Sequence, residues 1–541
     1  MRQPPSGWLG NVPPTRAEVH FDGRLVRCFA ERPKSAHALL EEAVIGNPAG
    51  EAVVCGKARL TYLEFEGAVA RCAAGLRARG IAKGDRVALL LANGVAFPVV
   101  LFATLRLGAI AVPMSTREQT PGLAYMLAHC GAKALVHDAD LADRLPEPRA
   151  TPALLQRVAV TTDEDCGGLQ ALLEDGSLGE PADAGEEDTA VILYTSGTTG
   201  RPKGAMLTNL GICHSAMHYQ CCMGLAARDR SVVAVPMSHV TGVIALIAAM
   251  VRAGGTMIVM PAFNAGAFLE LAERERMTHT LLVPAMYNLC LMHPLFEDAD
   301  LSSWRVGGFG GAPMAPATIE RFAAKLPRLA LMNAYGSTET TSPATMMPPA
   351  ETASRLDSVG RAVPCGEILV MDDEGREVPP GKAGEIWLRG PMVVKGYWDD
   401  AEATAAGFVA GFWRSGDIGS LDGAGYLRVF DRKKDMINRG GYKIYTIEVE
   451  NVLMSHPEIV EAAVIARPCP VLGERAHAVV CLKREGVTSE ELAAHCALSL
   501  ADYKVPDTFS FRRDPLPRNA NGKVMKRELR DDLLARGDDR P

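Results

Sequence analysis

The chain has 541 residues, with 57 Lys and Arg against 64 Asp and Glu for a formal net charge of -7, and it is 48% hydrophobic and 22% charged. That length exceeds one typical core, the composition is that of a globular protein, and the acidic balance leaves no basic footprint for nucleic acid. Thirteen cysteines occur without a paired CxxC framework or ligand-like histidine clustering, which argues against a disulfide scaffold and a zinc module and for reduced thiols in a cytosol.

Along the chain, residues 1–24 carry prolines and charges where a signal peptide needs a continuous apolar core, so no export is expected and the cytoplasm is the expected location. Short Val/Ala/Leu-rich runs such as RVALLL and ALVHD then alternate with helical stretches such as LEFEGAVARCAAGLRARG. This is the pattern of βα units stacked into mostly parallel sheets. Residues 86–114 and 240–260 are apolar enough to suggest membrane spans. Asn93, Pro98 and Arg106 in the first, and Arg252, Gly254 and Gly255 in the second, are costly at a bilayer centre, so both are expected as buried strand-helix-strand segments. Residues 183–188, rich in acid and Gly, are expected as a solvated linker, and the adjacent Cys221 and Cys222 as buried small apolar residues.

The string VILYTSGTTGRPKG, residues 191–204, opens an apolar β-type run into a loop of small residues, hydroxyls and one lysine. Gly197, Gly200 and Gly204 let the backbone approach an anion closely, and Thr195, Ser196, Thr198 and Thr199 add hydroxyl donors. Lys203 adds a mobile charge suited to a polyphosphate. Arg201 and Pro202 separate Gly200 from Lys203, so the spacing of G-x-x-x-x-G-K-[ST] is not met. Further on, NAYGSTET (residues 333–340) offers Tyr335 as a flat face for a nucleobase, Thr338 as a hydroxyl and Glu339 as a hard carboxylate for Mg²⁺. Asp417 ends WRSGD (residues 413–417), where a carboxylate can accept both hydroxyls of a ribose. The dense charge run at residues 431–435 is the expected domain boundary. After it come a helix from near Thr446, strands around AAVIA and AVVCLK, a helix from Ser489, and the loop PRNANGK with Lys523.

Residues 191–204 resemble the phosphate-binding signature of the adenylate-forming (AMP-binding) superfamily, which comprises acyl-CoA synthetases, peptide-synthetase adenylation domains and firefly-type luciferases. The strings NAYGSTET, GEIWLRGP (residues 384–391), WRSGD, DRKKDMINRGGYKIYTIEVE (residues 431–450) and PRNANGK follow in that family's order, so the resemblance covers the chain from about residue 35 onward. The implied fold is α/β. A large N-terminal domain, residues 1–431, holds mostly parallel sheets flanked by helices plus a β-barrel-like subdomain, and a small mobile α+β domain follows at residues 432–541 with its hinge near Lys434.

The resemblance also implies roles. Thr195 to Gly200 and Lys203 hold the phosphates of ATP; Gly311, Ala312, Pro313, Tyr335 and Gly336 border the adenylate; Thr338 contacts its phosphate and Glu339 binds Mg²⁺. Asp417 holds the ribose and Arg432 the ribose or phosphate, while Ser415 stands where the family usually has Thr and keeps the hydroxyl. Lys523 swings over the active site and neutralises charge between the attacking carboxylate and the α-phosphate. Gly440, Gly441 and Lys443 line the passage for coenzyme A. His239, Val240, Gly310, Gly336 and Thr340 line the acyl pocket, with His239 affecting carboxylate placement; the alternative for His239 is a satisfied strand-end residue.

The function implied is an ATP-dependent acid-thiol ligase that forms an acyl adenylate, releases pyrophosphate and passes the acyl group to coenzyme A. PMSHVTGVIALI and YGSTETTSPATMM contain no Lys or Arg to pair a second carboxylate, which disfavours a diacid. The string GYKIYTIEVE resembles fatty acyl-CoA ligases, with aryl acid ligases of the benzoate or cinnamate kind as the alternative. A freestanding loader of an acyl carrier protein and a non-catalytic nucleotide sensor stand as further alternatives. The partners expected are a small carboxylic acid, ATP and coenzyme A, with no nucleic acid and no transmembrane segment; a peripheral membrane contact and a homodimer are left open.

Overall fold

The computed structural model describes residues 7–21, 23–161, 169–173, 179–195, 201–312, 314–484, 486–518 and 524–535. The chain divides into two compact units, Met1–Ile368 with Trp387–Arg414, and Leu369–Ile386 with Ser415–Pro541.

The first unit contains two large sheets. Six strands run in the order Lys203–Thr208, Thr189–Thr195, Ile110–Pro113, Arg86–Leu90, Ala134–Asp138 and Gln156–Val160, all parallel except the antiparallel edge Lys203–Thr208. Nine strands form the other, in the order Arg361–Ala362, Ser342–Met346, Ala330–Ser337, Val306–Phe309, His279–Leu282, Arg230–Val233, Thr256–Val259, Glu51–Cys55 and Ala58–Thr61. Its middle is parallel and its ends are antiparallel. The expected βα alternation is present: the first suspected membrane span is strand Arg86–Leu90, helix Ala96–Arg106 and strand Ile110–Pro113, buried almost throughout. Among the described residues, no helix is long and apolar enough to cross a membrane. Every described cysteine is free, and Cys221 and Cys222 lie side by side in a buried helix with their sulfurs 4.0 Å apart. Burial pushes the Cys222 thiol well above its ordinary range.

One buried amide fixes the two sheets against each other. Asn93, just past strand Arg86–Leu90, donates to the carbonyls of Val235 (2.9 Å) and Met260 (3.1 Å) and accepts from the Met237 N–H (2.8 Å). These partners lie beyond the ends of neighbouring strands Arg230–Val233 and Thr256–Val259 of the nine-stranded sheet. The bonds therefore set where the segment leading to His239 leaves that sheet.

The second unit has its own core, in which Ile437, Val449, Leu453, Val464, Val480 and Leu492 are buried together. The elements expected after the charge run are all present: helix Thr446–Met454, strands Ile459–Cys469 and Gly473–Leu482, and helix Ser489–Ala497. The division into units passes through strands Glu367–Met371, Gly384–Arg389 and Phe412–Leu421, which with Phe408–Val409 and Leu427–Arg432 make the five-stranded sheet at the place of the expected barrel-like subdomain. Asp431 and Arg432 end strand Leu427–Arg432, and Asp431 is only 1% exposed because its carboxylate accepts from the N–H and the hydroxyl (2.7 Å) of Thr446.

Replacing Asn93 with Leu strands two buried carbonyls and one buried N–H, each costing about 1–3 kcal/mol in part relieved by local relaxation. Denaturant unfolding is expected to show the variant about 3 kcal/mol less stable; a loss below about 0.5 kcal/mol, the range of ordinary surface substitutions, would show that the amide is not what joins the sheets.

Candidate functional site

In the nine-stranded sheet, the parallel strands Arg230–Val233, Val306–Phe309 and Ala330–Ser337 deliver His239, Gly310 to Ala312 and Tyr335 to Thr340 to one edge, the carboxyl edge at which open α/β sheets bind ligands. The sequence requires small residues there for a steric reason. A Cβ on Gly310 would lie 2.3 Å from the Ala334 carbonyl oxygen, and one on Gly336 would lie 1.8 Å from that of Ser342. Gly311 has φ +79°, the left-handed region.

Glu339 is held from several directions. Its carboxylate is 9% exposed; Oε2 accepts from the Ser337 hydroxyl (2.5 Å) and Oε1 from the Tyr397 hydroxyl (3.0 Å). The Ser337 oxygen also accepts from the Glu339 N–H (3.1 Å), and Thr340 Oγ1 accepts from the Ser337 N–H (2.9 Å). Immediately after, Thr341 and Ser342 have φ +49° and +87°, two consecutive left-handed residues without a glycine between them. Such strain persists only where surroundings enforce it. Here the Thr341 hydroxyl donates to the Met392 carbonyl (2.7 Å), and the Ser342 hydroxyl shares a hydrogen bond with buried Tyr219 (2.7 Å).

The loop of residues 196–200 (Ser196, Gly197, Thr198, Thr199, Gly200), along with Pro313 and Lys523, lies outside the described residues. Its stems are an antiparallel hairpin in which Thr195 faces Lys203 and Tyr194 faces Gly204. Lys203 starts a strand, with its ammonium 5.1 Å from the centre of the Tyr397 ring. It is thus seated on an aromatic face rather than loose in a loop. The segment carrying Tyr397 bonds on both sides: Met206 N–H to Gly396 O (3.1 Å), Trp398 N–H to Gly204 O (2.7 Å) and Val394 N–H to Glu339 O (2.9 Å). This strap ties the hairpin of one sheet to the Glu339 turn of the other. Tyr397 was not foreseen from the sequence; the signal available was an aromatic residue closely following GEIWLRGP.

After His239 the chain runs in π-helical geometry over Thr241–Ala248, buried except at its first residue, with Val240 buried just before it. A void beside this helix is lined by Leu101, Phe102, Ile212, Val243 and Ile247 among other apolar side chains, so it offers no polar group to a substrate. The His239 ring contacts the Thr241 hydroxyl at 3.4 Å.

In the second unit, Asp417 and Arg432 are cross-strand partners, and Arg432 Nε meets Asp417 Oδ1 at 2.9 Å. The sequence named both residues without showing that they pair. Asp417 is buried and its N–H donates to Ser415 Oγ (3.0 Å), which in turn donates to the Ile386 carbonyl (2.7 Å). Lys434 and Lys443 are exposed. Gly440 and Gly441, with φ +59° and +93°, make a tight hairpin turn between strands Ile437–Arg439 and Tyr442–Ile444. The turn requires both glycines whatever else they do.

The Glu339 carboxylate has the chemistry a hard cation takes: it is buried, and each of its two oxygens keeps lone pairs after one hydrogen bond, while the Lys203 ammonium lies over the ring of the same Tyr397. The profile of the AMP-binding enzyme family matches residues 40–398, and that of the AMP-binding enzyme C-terminal domain matches residues 448–523. The chain is 38% identical over 488 residues to a feruloyl-CoA synthase of Amycolatopsis sp, covering 90% of this chain and 96% of that protein. It is 35% identical over 481 residues to a long-chain-fatty-acid CoA ligase of Mycobacterium tuberculosis, covering 88% and 94%. Among solved structures, the o-succinylbenzoate CoA synthetase of Bacillus subtilis in complex with ATP and magnesium ion superposes with TM-score 0.82 at 30% identity, covering 92% of this chain and 99% of that one.

Replacing Gly336 with Ala puts a Cβ into the Ser342 carbonyl and shifts the strained turn that aims Glu339. Pyrophosphate exchange is expected to fall at least about a hundredfold, the scale of a small displacement of reacting groups. A variant with wild-type exchange would show that the turn tolerates movement.

Proposed function

This chain belongs to the AMP-binding enzyme family, and from that membership we propose which groups carry its chemistry and which acid it takes. It is an AMP-forming acyl-CoA synthetase that uses ATP and Mg²⁺, with coenzyme A as co-substrate. The observation that carries the site assignment is the Glu339 carboxylate, buried at the carboxyl edge of the sheet and strapped to the phosphate hairpin.

In this reading the loop from Thr195 to Gly200 and Lys203 hold the β- and γ-phosphates, Thr338 the α-phosphate, and Glu339 the Mg²⁺ that neutralises the polyphosphate. Tyr335 packs on adenine against Gly311, Ala312 and Pro313, and Asp417 takes the ribose hydroxyls with Arg432 beside it. The substrate carboxylate, oriented by His239 in a pocket of Val240, Gly310, Gly336 and Thr340, attacks the α-phosphorus. One P–O bond forms, the bond to the pyrophosphate oxygen breaks, and pyrophosphate leaves. Two anions must approach, so a cation arriving late, Lys523, lowers the barrier by stabilising charge where it develops. A rotation about Lys434 then exchanges Lys523 for the face of Gly440, Gly441 and Lys443, beside which the thiol attacks the acyl carbon and AMP leaves.

The acid is an apolar monocarboxylic acid, because the segments assigned to the pocket carry no Lys or Arg for a second carboxylate. We place an aryl acid with a short side chain first, supported by the 38% identity to a feruloyl-CoA synthase. The fatty acid reading is supported by the GYKIYTIEVE string and by the 35% identity to a long-chain ligase.

A panel of phenylpropenoic, benzoic, fatty and dicarboxylic acids, followed by pyrophosphate release and by mass spectrometry of the thioester, decides between them. Phenylpropenoic acids are expected to give the highest kcat/KM and dicarboxylic acids none; preference for chains of twelve carbons or more would reverse the order. Pyrophosphate release without a CoA thioester would move the acceptor to a carrier protein. Lys523→Ala is expected to slow adenylate formation about 10²-fold or more while sparing thiol transfer from preformed acyl adenylate. Equal loss in both steps would remove the rotating-lysine mechanism.

A further inference from the structure

Tyr397 lies outside every signature that led to the site, yet it touches two of the groups assigned to ATP. Its hydroxyl donates to Glu339 Oε1 at 3.0 Å, and its ring face lies under the Lys203 ammonium at 5.1 Å from the centroid. Its backbone is fixed independently of either contact. The Tyr397 N–H donates to Thr404 Oγ1 (2.9 Å), its residue bridges to Ala205 in the hairpin, and the residues on both sides bond the hairpin strand. The ring is 8% exposed and packs edge-on against Phe408, with centroids 5.7 Å apart.

We infer that Tyr397 is a positioning residue that serves metal and phosphate together: its hydroxyl orients the Glu339 carboxylate for Mg²⁺, and its ring seats Lys203 for the polyphosphate. This rests on the assignment of Glu339 and Lys203 proposed above. The physical logic is that of an outer-shell donor. A carboxylate with one oxygen pinned by Ser337 and the other by Tyr397 cannot rotate, so the lone pairs left over point in one fixed direction before the metal arrives. An ammonium over an aromatic face keeps its charge and its three N–H groups, but loses the conformational freedom of a long side chain. Because one ring makes both contacts, the separation between metal ligand and phosphate cation is set by a single rigid group on a strap of backbone hydrogen bonds.

The two roles separate by substitution. ATP binding to the full chain is titrated calorimetrically in EDTA and in saturating Mg²⁺, and Mn²⁺ binding in the presence of ATP is followed by electron paramagnetic resonance. Tyr397→Phe keeps the ring and loses the hydroxyl. It is expected to bind ATP in EDTA as the wild type does, and to lose about tenfold of the affinity that Mg²⁺ adds, with a matching weakening of Mn²⁺. Tyr397→Leu loses both contacts and is expected to weaken ATP about threefold even in EDTA. Melting temperatures and circular dichroism of both variants report whether the fold is kept, and the EDTA titration of Tyr397→Phe serves as its internal control. Glu339→Gln distinguishes the layers. If it loses the Mg²⁺ gain and Tyr397→Phe keeps it, the tyrosine's role is overturned while the metal assignment stands. If Glu339→Gln keeps the gain, the metal assignment falls and the inference falls with it. Wild-type affinity of Tyr397→Leu in EDTA would overturn the seat for Lys203.

Discussion

The strap at residues 394–398 is the constraint on which the site depends. In the proposed site the polyphosphate and its metal draw on groups from different sheets: Lys203 on the hairpin 189–208 and the Glu339 carboxylate on the turn after strand Ala330–Ser337. Two sheets packed through side chains hold register only as well as the packing does. The Gly396 carbonyl accepts from the Met206 N–H of the hairpin, the Trp398 N–H donates to Gly204 O and the Val394 N–H donates to Glu339 O, which removes that freedom. Asn93 performs the equivalent task at the other side of the same packing, joining the end of strand Arg86–Leu90 to the segment that leads to His239.

Precision at Glu339 has an energetic counterpart in the turn that follows it. Left-handed conformations at Thr341 and Ser342 cost of order 1–3 kcal/mol each, and a carboxylate removed from water adds a further penalty unless hydrogen-bonded. The offsetting contacts are numerous and come from separate elements: Ser337 and Tyr397 on the carboxylate, Met392 on Thr341, Tyr219 on Ser342. That arrangement explains the small residues on either side. Gly336 has no room for a methyl because the strained turn folds back onto it, and Gly310 has none because the neighbouring strand carries the Ala334 carbonyl there. Small residues at this edge follow from backbone sterics as much as from the ligand.

The parts of this picture legible in the sequence are those carried by local chemistry. Hydrophobic runs of strand and helix length gave the parallel sheets, and the second-unit elements from Thr446 to Ala497 were legible because each has its own start signal, such as Thr488 capping the helix Ser489–Ala497. Motif strings singled out Glu339, Asp417 and Arg432 as candidates. What the sequence withheld was pairing between segments far apart in number. Tyr397 and Glu339 are 58 residues apart, and nothing in either string marks their contact. The register that sets Asp417 opposite Arg432 depends on an intervening turn. The charge run at residues 431–435 holds another such contact: a carboxylate that finds a buried partner is indistinguishable in sequence from one that faces water, and Asp431 found Thr446.

That last contact bears on the hinge. Asp431 precedes Lys434 and Thr446 follows it, so the hydrogen bonds between them close a loop around the proposed pivot. The loop is fastened further on the far side, where Lys526 donates to the Thr446 hydroxyl (2.6 Å) and pairs with Glu450 (2.7 Å), whose same oxygen accepts from the Val464 N–H (2.7 Å). A large rotation about Lys434 parts Asp431 from Thr446 unless the strand end moves with it. Burial raises the Asp431 pKa, and the positive charge of Lys526 opposes that rise, so an unclasped Asp431 is worse off only while it stays out of water. The clasp therefore favours the arrangement of the proposed pivot in which Asp431 and Thr446 meet, and a rotation about Lys434 has to give up those bonds or carry the strand end along.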